Sequence, residues 1–139
     1  MNAAQMNDLL LYRMEQAHES LREATILRAA AAQRGAINRA YYAMFYALLA
    51  LLATRQLGTS KHSGAISLFD REFVKTGVFP LALSKSLHLA FDRRQVHDYG
   101  EMIELDFAMV DETIADANAF VNAIEQYLRE QRLLGKDPV

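Results

Sequence analysis

The chain contains no cysteine, which excludes disulfides, thiolate nucleophiles and thiolate zinc sites together. That absence suits a reducing cytoplasm, the expected location. Proline is nearly missing: Pro80 and Pro138 are the two present, and six glycines supply the remaining punctuation. No alternation of apolar and polar residues persists either, so strands are not expected and helix periods dominate. No apolar run reaches the about 20 residues of a bilayer crossing. The longest, Ala40 to Ala53, has 14 residues, three of them tyrosines, and reads as a buried core helix, with no membrane partner expected. The opening "MNAAQMNDLLLYRMEQ" lacks the basic start, apolar run and small-residue cleavage site of a signal peptide. Positive charge is not in excess. At a net charge of −2 the chain has no global attraction for nucleic acid, and any phosphate-binding surface must be local. Also missing are a Gly-rich phosphate loop, a pair of catalytic carboxylates and a Ser-His-Asp set. His18 and His88 lack metal-ligand spacing and are expected at the surface or its boundary. No metal and no cofactor is implied.

What is present is a globular composition, 52% hydrophobic and 23% charged over 139 residues, which bounds the chain to one domain with a real core. That single domain is expected over residues 1–139, with its core at about 9–133 and a frayed tail at 134–139. Leu10, Met14, Ala17, Leu21 and Ala24 recur at steps of four and three, an amphipathic surface helix, with a break expected at Gln33 to Gly35. The second helix, about Ala36 to Arg55, is apolar on most sides and so should have neighbours on most sides. "LGTSKHSG" follows as a loop and helix start, with Thr59 or Ser60 as N-cap. A short helix through Phe69 and Phe73 should stop at Gly77, and Pro80 should open the next, about Leu81 to Tyr99. In the last helix Ile103, Phe107, Val110, Ile114, Ala117, Val121, Ile124 and Leu128 form a seam of average period 3.5. From Glu101 to Leu133 it would be about 48 Å long. The fold class is all-α, an up-and-down bundle of four to five helices.

Three stretches then stand out in order: "NRAYYAMFYALLALL" (Asn38 to Leu52), "KHSGAISLFDREFVKTG" (Lys61 to Gly77) and "RRQVHDYG" (Arg93 to Gly100). Together they resemble the HEPN superfamily, the small helical domains of prokaryotic HEPN/MNT toxin–antitoxin pairs, over about Leu9 to Leu128. The resemblance implies a helical bundle that forms a homodimer and a partner, a minimal nucleotidyltransferase (MNT), encoded alongside. It also implies a metal-independent endoribonuclease that cleaves RNA at the dimer cleft. The family signature is an arginine and a histidine with four to six residues between them, often followed by x-Tyr. In some pairs the nucleotidyltransferase silences the toxin by adding AMP to that tyrosine. His97-Asp98-Tyr99 matches the His-x-Tyr portion. The arginines depart from it, since Arg93 has three residues before His97 and Arg94 has two.

RNA cleavage without metal needs a base for the 2′-hydroxyl, an acid for the leaving oxygen and positive charge on the phosphate. Histidine suits the first two because its ordinary pKa is near neutral. Arginine suits the third through its planar, permanently charged fork. On a helix, Arg93 and His97 at i and i+4 share a face. The candidate catalytic pair is therefore Arg93 and His97, with Arg94 assisting and Tyr99 as the control point for AMP addition. One histidine per subunit is thin for both proton transfers, a further reason to expect a dimer. The competing reading of the stretch is a solvated helix end, where arginines favour the C-terminal pole.

Lys61 and His62, at a helix start, are further phosphate or RNA candidates, with capping and loop packing as their ordinary explanation. Asn38, with Arg39, Tyr41 and Tyr42, could line a polar groove, although tyrosines on a central helix are usually core residues with a bonded hydroxyl. The alternative function is a non-catalytic HEPN module that binds a nucleotide or its nucleotidyltransferase partner.

Overall fold

The computed structural model describes residues 1–98 and 105–135, the side chains of residues 96–98 excepted. Five α-helices account for most of them: α1 (Ala3–Ala29), α2 (Gln33–Ala53), α3 (His62–Phe69), α4 (Leu81–Asp98) and α5 (Phe107–Glu130). A π-helical turn, Asp70–Val74, extends α3. No strand occurs among the described residues. The all-α bundle read from the periodicity is the fold observed.

Helix α2 is the centre, packing against α1, α3, α4 and α5. Ile37, Tyr41, Met44, Leu48, Leu51 and Leu52, on several of its sides, are buried. By length and composition α2 could cross a membrane, but 67% of its apolar window is buried inside the bundle. Small residues set how closely α1 and α2 approach: Ala17 and Ala24 of α1 and Ala36, Ala40, Ala43 and Ala47 of α2 are fully buried. Gly35 belongs to the same contact, since a Cβ there would stand 3.2 Å from Leu27 Cδ1.

The helix ends follow from local hydrogen bonding. Asn2 and Gln5 cap α1 reciprocally, each side chain accepting the other's backbone N–H. Asp106 caps α5 by accepting from Met109 N at 2.7 Å. Helix α1 ends at Ala29, and the expected break at Gln33 to Gly35 is instead the first turn of α2. The left-handed residue is Ala31 (φ 57°), not Gly35. Ala31 N donates to Arg28 O, and Ala32 N to Leu27 O, the paired bonds that satisfy the last carbonyls of a helix. The same pair recurs at Gln56 (φ 55°) after α2 and at Arg132 (φ 58°) after α5. Gly77 (φ 84°) does take the left-handed turn expected of it after the π-turn, and α4 begins directly after Pro80.

Three further expectations are corrected. Helix α5 begins at Phe107 rather than Glu101, because Asp106 is extended (φ −83°, ψ 160°) and acts as its cap. Phe107, placed on the seam by its spacing, is 42% exposed and carries the Arg28 guanidinium over its ring at 4.2 Å. Ile103 lies outside the described residues. Of the expected tail, Leu134 is buried and Gly135 N donates to Asn7 Oδ1, and residues 136–139 lie outside the described residues. Before α3, Thr59 Oγ1 accepts from Lys61 N at 3.3 Å, but Lys61 itself occupies the cap position without a side-chain bond.

Candidate functional site

Adjacent residues on a helix point about 100° apart, and this separates the two arginines of α4. Arg93 turns to α5. Its NH1 donates to Thr113 Oγ1 at 2.8 Å and its NH2 to Glu112 Oε1 at 2.9 Å, and its side chain is only 16% exposed. Thr113 passes the interaction on by donating to Met109 O. Asp116 of α5 feels the same group: burial and the Glu112 carboxylate raise its pKa, and Arg93 opposes them. Arg93 is thus tied into the α4–α5 contact.

Arg94 turns the other way, to α2 and α3. Its guanidinium lies 5.5 Å from the Tyr41 ring centroid and 5.1 Å from that of Tyr42, within cation–π range. Its NH2 also donates to Tyr42 Oη at 3.2 Å. His62, the first residue of α3, meets the same pair of rings. Its Nδ1 is 2.9 Å from Tyr41 Oη, its ring stacks on Phe45 at 4.1 Å and 12°, and Tyr42 meets it edge-on. Phe91 closes the cluster against Tyr41. Three sequence regions far apart in the chain therefore converge: the start of α3, the first half of α2 and the end of α4.

The electrostatics follow from burial and from Arg94. Burial pushes the Tyr41 phenol well above its ordinary pKa, with Arg94 opposing. Burial and then Arg94 hold His62 below the ordinary histidine value because both disfavour a second cation. The resting cluster pairs a neutral imidazole with a permanent guanidinium.

Of the residues singled out in the sequence, His62 and Arg94 belong to this cluster. Arg39 lies over Tyr42 at 4.9 Å and donates twice to Asn38 Oδ1, so both border it. Lys61 is exposed next to His62. His97 lies on α4, three residues beyond Arg94, with its side chain outside the description, and Tyr99 lies outside the described residues. Phe45 and Phe91 were not singled out. The i, i+4 spacing of Tyr41 with Phe45 marks one aromatic face, but α2 is aromatic over several faces and the sequence gives no reason to prefer that one.

A second polar cluster was missed altogether. Asp70, opening the π-turn, accepts from Ser84 Oγ at 2.6 Å and lies 2.6 Å from His88 Nε2. The serine and histidine each meet the carboxylate rather than one another, so the arrangement ties the π-turn to α4 and is not a nucleophilic triad. His18 likewise pairs with Glu125 across α1 and α5. Among the described residues no group of three or more His, Asp or Glu side chains is placed to hold a metal ion.

Comparison with known proteins adds a family. The model described as "HEPN domain" matches residues 10–127. A UPF0332 protein of Thermotoga maritima is 38% identical over 122 residues, covering 88% of this chain and 92% of that protein. Two Methanocaldococcus jannaschii proteins, each named "Putative toxin", are also similar. One is 33% identical, covering 71% of this chain and 67% of its own length. The other is 32% identical, with 84% and 87% covered.

Proposed function

The chain belongs to the HEPN domain family, and from that premise we propose that it is a toxin-type endoribonuclease acting without metal on cytoplasmic RNA. The observation that carries the reading is Arg94, a guanidinium held over two tyrosines one helical turn before His97. The toxin names of two relatives support the same class.

The phosphate role is assigned to Arg94 for its place on the Tyr41 and Tyr42 rings beside His62, while Arg93 binds Thr113 and Glu112. A histidine acting as base takes the 2′-hydroxyl proton, and the 2′-oxygen attacks phosphorus. The bond to the 5′-oxygen breaks, and an acid returns a proton to that oxygen, leaving a 2′,3′-cyclic phosphate. Arg94 offsets the charge that gathers on the phosphoryl oxygens. Two proton transfers call for two groups, which a homodimer with paired sites supplies as two copies of His97. Asn38 and Lys61 border the path of the strand.

The test is RNA cleavage by purified protein in a chelator, read by its 2′,3′-cyclic ends. Wild type is expected to cleave, and His97→Ala and Arg94→Ala to lose about 100-fold or more. Cleavage unchanged in His97→Ala removes the nuclease reading.

A second reading is favoured by one observation, the engagement by α5 of Arg93, the arginine that comes nearest to the family spacing. In it the chain is a non-catalytic module that binds a nucleotide or an MNT-type nucleotidyltransferase through the Arg94 face. Co-expression with an adjacent nucleotidyltransferase and mass spectrometry separates the two. AMP on Tyr99 is expected for the controlled toxin, and a stable complex without cleavage for the module.

A further inference from the structure

His62 is held more tightly than a loop histidine needs to be. Tyr41 Oη meets Nδ1 at 2.9 Å, Phe45 covers one ring face at 4.1 Å, and Tyr42 closes an edge at 5.7 Å between centroids. No described side chain is hydrogen-bonded to Nε2. Arg94 lies against the same two tyrosines and holds Tyr42 Oη at 3.2 Å. A guanidinium and an imidazole thus share one aromatic floor, contributed by one turn of α2.

Among the described side chains, the charged and titratable groups that face His62 are Tyr41 and Tyr42 from α2 and Arg94 from α4, with Lys61 preceding it in the chain. The phenols are neutral near neutral pH, so the charge these groups exert on the imidazole is positive, and together with burial it favours the neutral ring.

We propose that Arg94 and His62 form a phosphate-binding pair in which His62 takes up a proton as the anion arrives. The arginine fork accepts the first contact with a phosphate oxygen. The anion then offsets the guanidinium charge felt by the imidazole, which becomes the second cation on the same phosphate. The ligand class is the RNA phosphodiester. Half-buried Tyr42 and Phe45 supply apolar faces beside the charge, as a ribose or base requires and a free oxyanion does not. The inference deepens the reading of the Arg94 face as an RNA site and is independent of whether that site cleaves.

The experiment titrates the whole protein with a 2′-O-methyl dinucleoside monophosphate, which cannot be cleaved and carries no terminal phosphate that titrates near neutrality. Histidine ring signals are followed by NMR between pH 5.5 and 8.5, with His62→Gln assigning the resonance. In the wild type the His62 midpoint should rise when the diester is added, and affinity should increase up to about tenfold per pH unit on acidification. His62→Gln should bind with a flat pH profile, and Arg94→Ala should lose binding about tenfold or more. Sulfate and inorganic phosphate form the second arm and should bind more weakly than the diester.

An unmoved His62 midpoint in the wild type overturns the proposal, as does His62→Gln with the wild-type slope. Inorganic phosphate binding as tightly as the diester overturns the assignment to RNA. Proton-linked binding by a protein that cleaves no RNA leaves this inference standing and removes the nuclease reading. Cleavage combined with pH-flat binding does the reverse.

Discussion

Arg93 and Arg94 are neighbours in the chain and strangers in space. The first reaches Thr113 and Glu112 on α5, and the second rests on Tyr41 and Tyr42 of α2. Their substitutions should separate accordingly. Arg93→Ala removes two hydrogen bonds from a mostly buried contact and should cost about 1–2 kcal/mol of stability, with RNA binding kept. Arg94→Ala should change stability less and lose RNA binding. Urea unfolding together with filter binding on both variants checks the pair, and loss of binding in Arg93→Ala at unchanged stability would sink the division.

Acid should weaken the free protein through His62. Folding lowers its pKa below the ordinary 6.5, so the unfolded chain binds more protons there and stability increases with pH. The contribution is present above pH 6.5 and is lost as pH falls through the lowered folded-state value. The melting temperature of wild type should therefore drop more steeply below pH 6.5 than that of His62→Gln. Bound RNA diester should flatten the wild-type curve, because it removes the reason for the lowered pKa. Parallel curves for the two free proteins would contradict the assignment.

Asp70 should matter through the hydroxyl it holds. Ser84 is 6% exposed, so Asp70→Ala leaves its Oγ without an acceptor and should cost about 1–3 kcal/mol. Asp70→Asn retains an acceptor oxygen for Ser84 and should cost clearly less. Chemical denaturation of the two variants decides, and an equal loss would point to the charge beside His88 instead.

Three helices end on non-glycine residues in the left-handed region, and replacing those residues should stabilise the fold. Ala31→Gly, Gln56→Gly and Arg132→Gly each remove a Cβ clash with the backbone, offset in part by the greater entropy of glycine in the unfolded chain. Each should gain about 0.5–1 kcal/mol, read as a higher urea midpoint at constant slope. A destabilised Ala31→Gly would show that these turns are unstrained.

These three turns also show where sequence reading stopped. Glycine marks one helix end that is legible in the sequence, Gly77, which has the positive φ expected of it. The other expected break held Gly35, whose role lies in the close approach to Leu27. Alanine, glutamine and arginine carry no signal for a left-handed cap. The hydrogen bonds of the turns outweigh a modest local strain, and that balance is not written in residue type.

The sequence by itself determined the helical class, the central place of α2 and the family. Those properties depend on apolar periodicity and motif order, which are local and repeat over many residues. Only the tertiary structure decided that Arg93 is engaged by α5 and that Arg94 shares the aromatic floor of α2 with His62. A helix sends consecutive side chains in different directions. Which direction meets an acid and which meets an aromatic floor depends on the helices packed alongside. For Arg93 that neighbour is α5, 19 residues on at Glu112, and for Arg94 it is α2, 52 residues back at Tyr42. Contacts over such separations follow from how the bundle closes, so the spacing within "RRQVHDYG" could not rank the two.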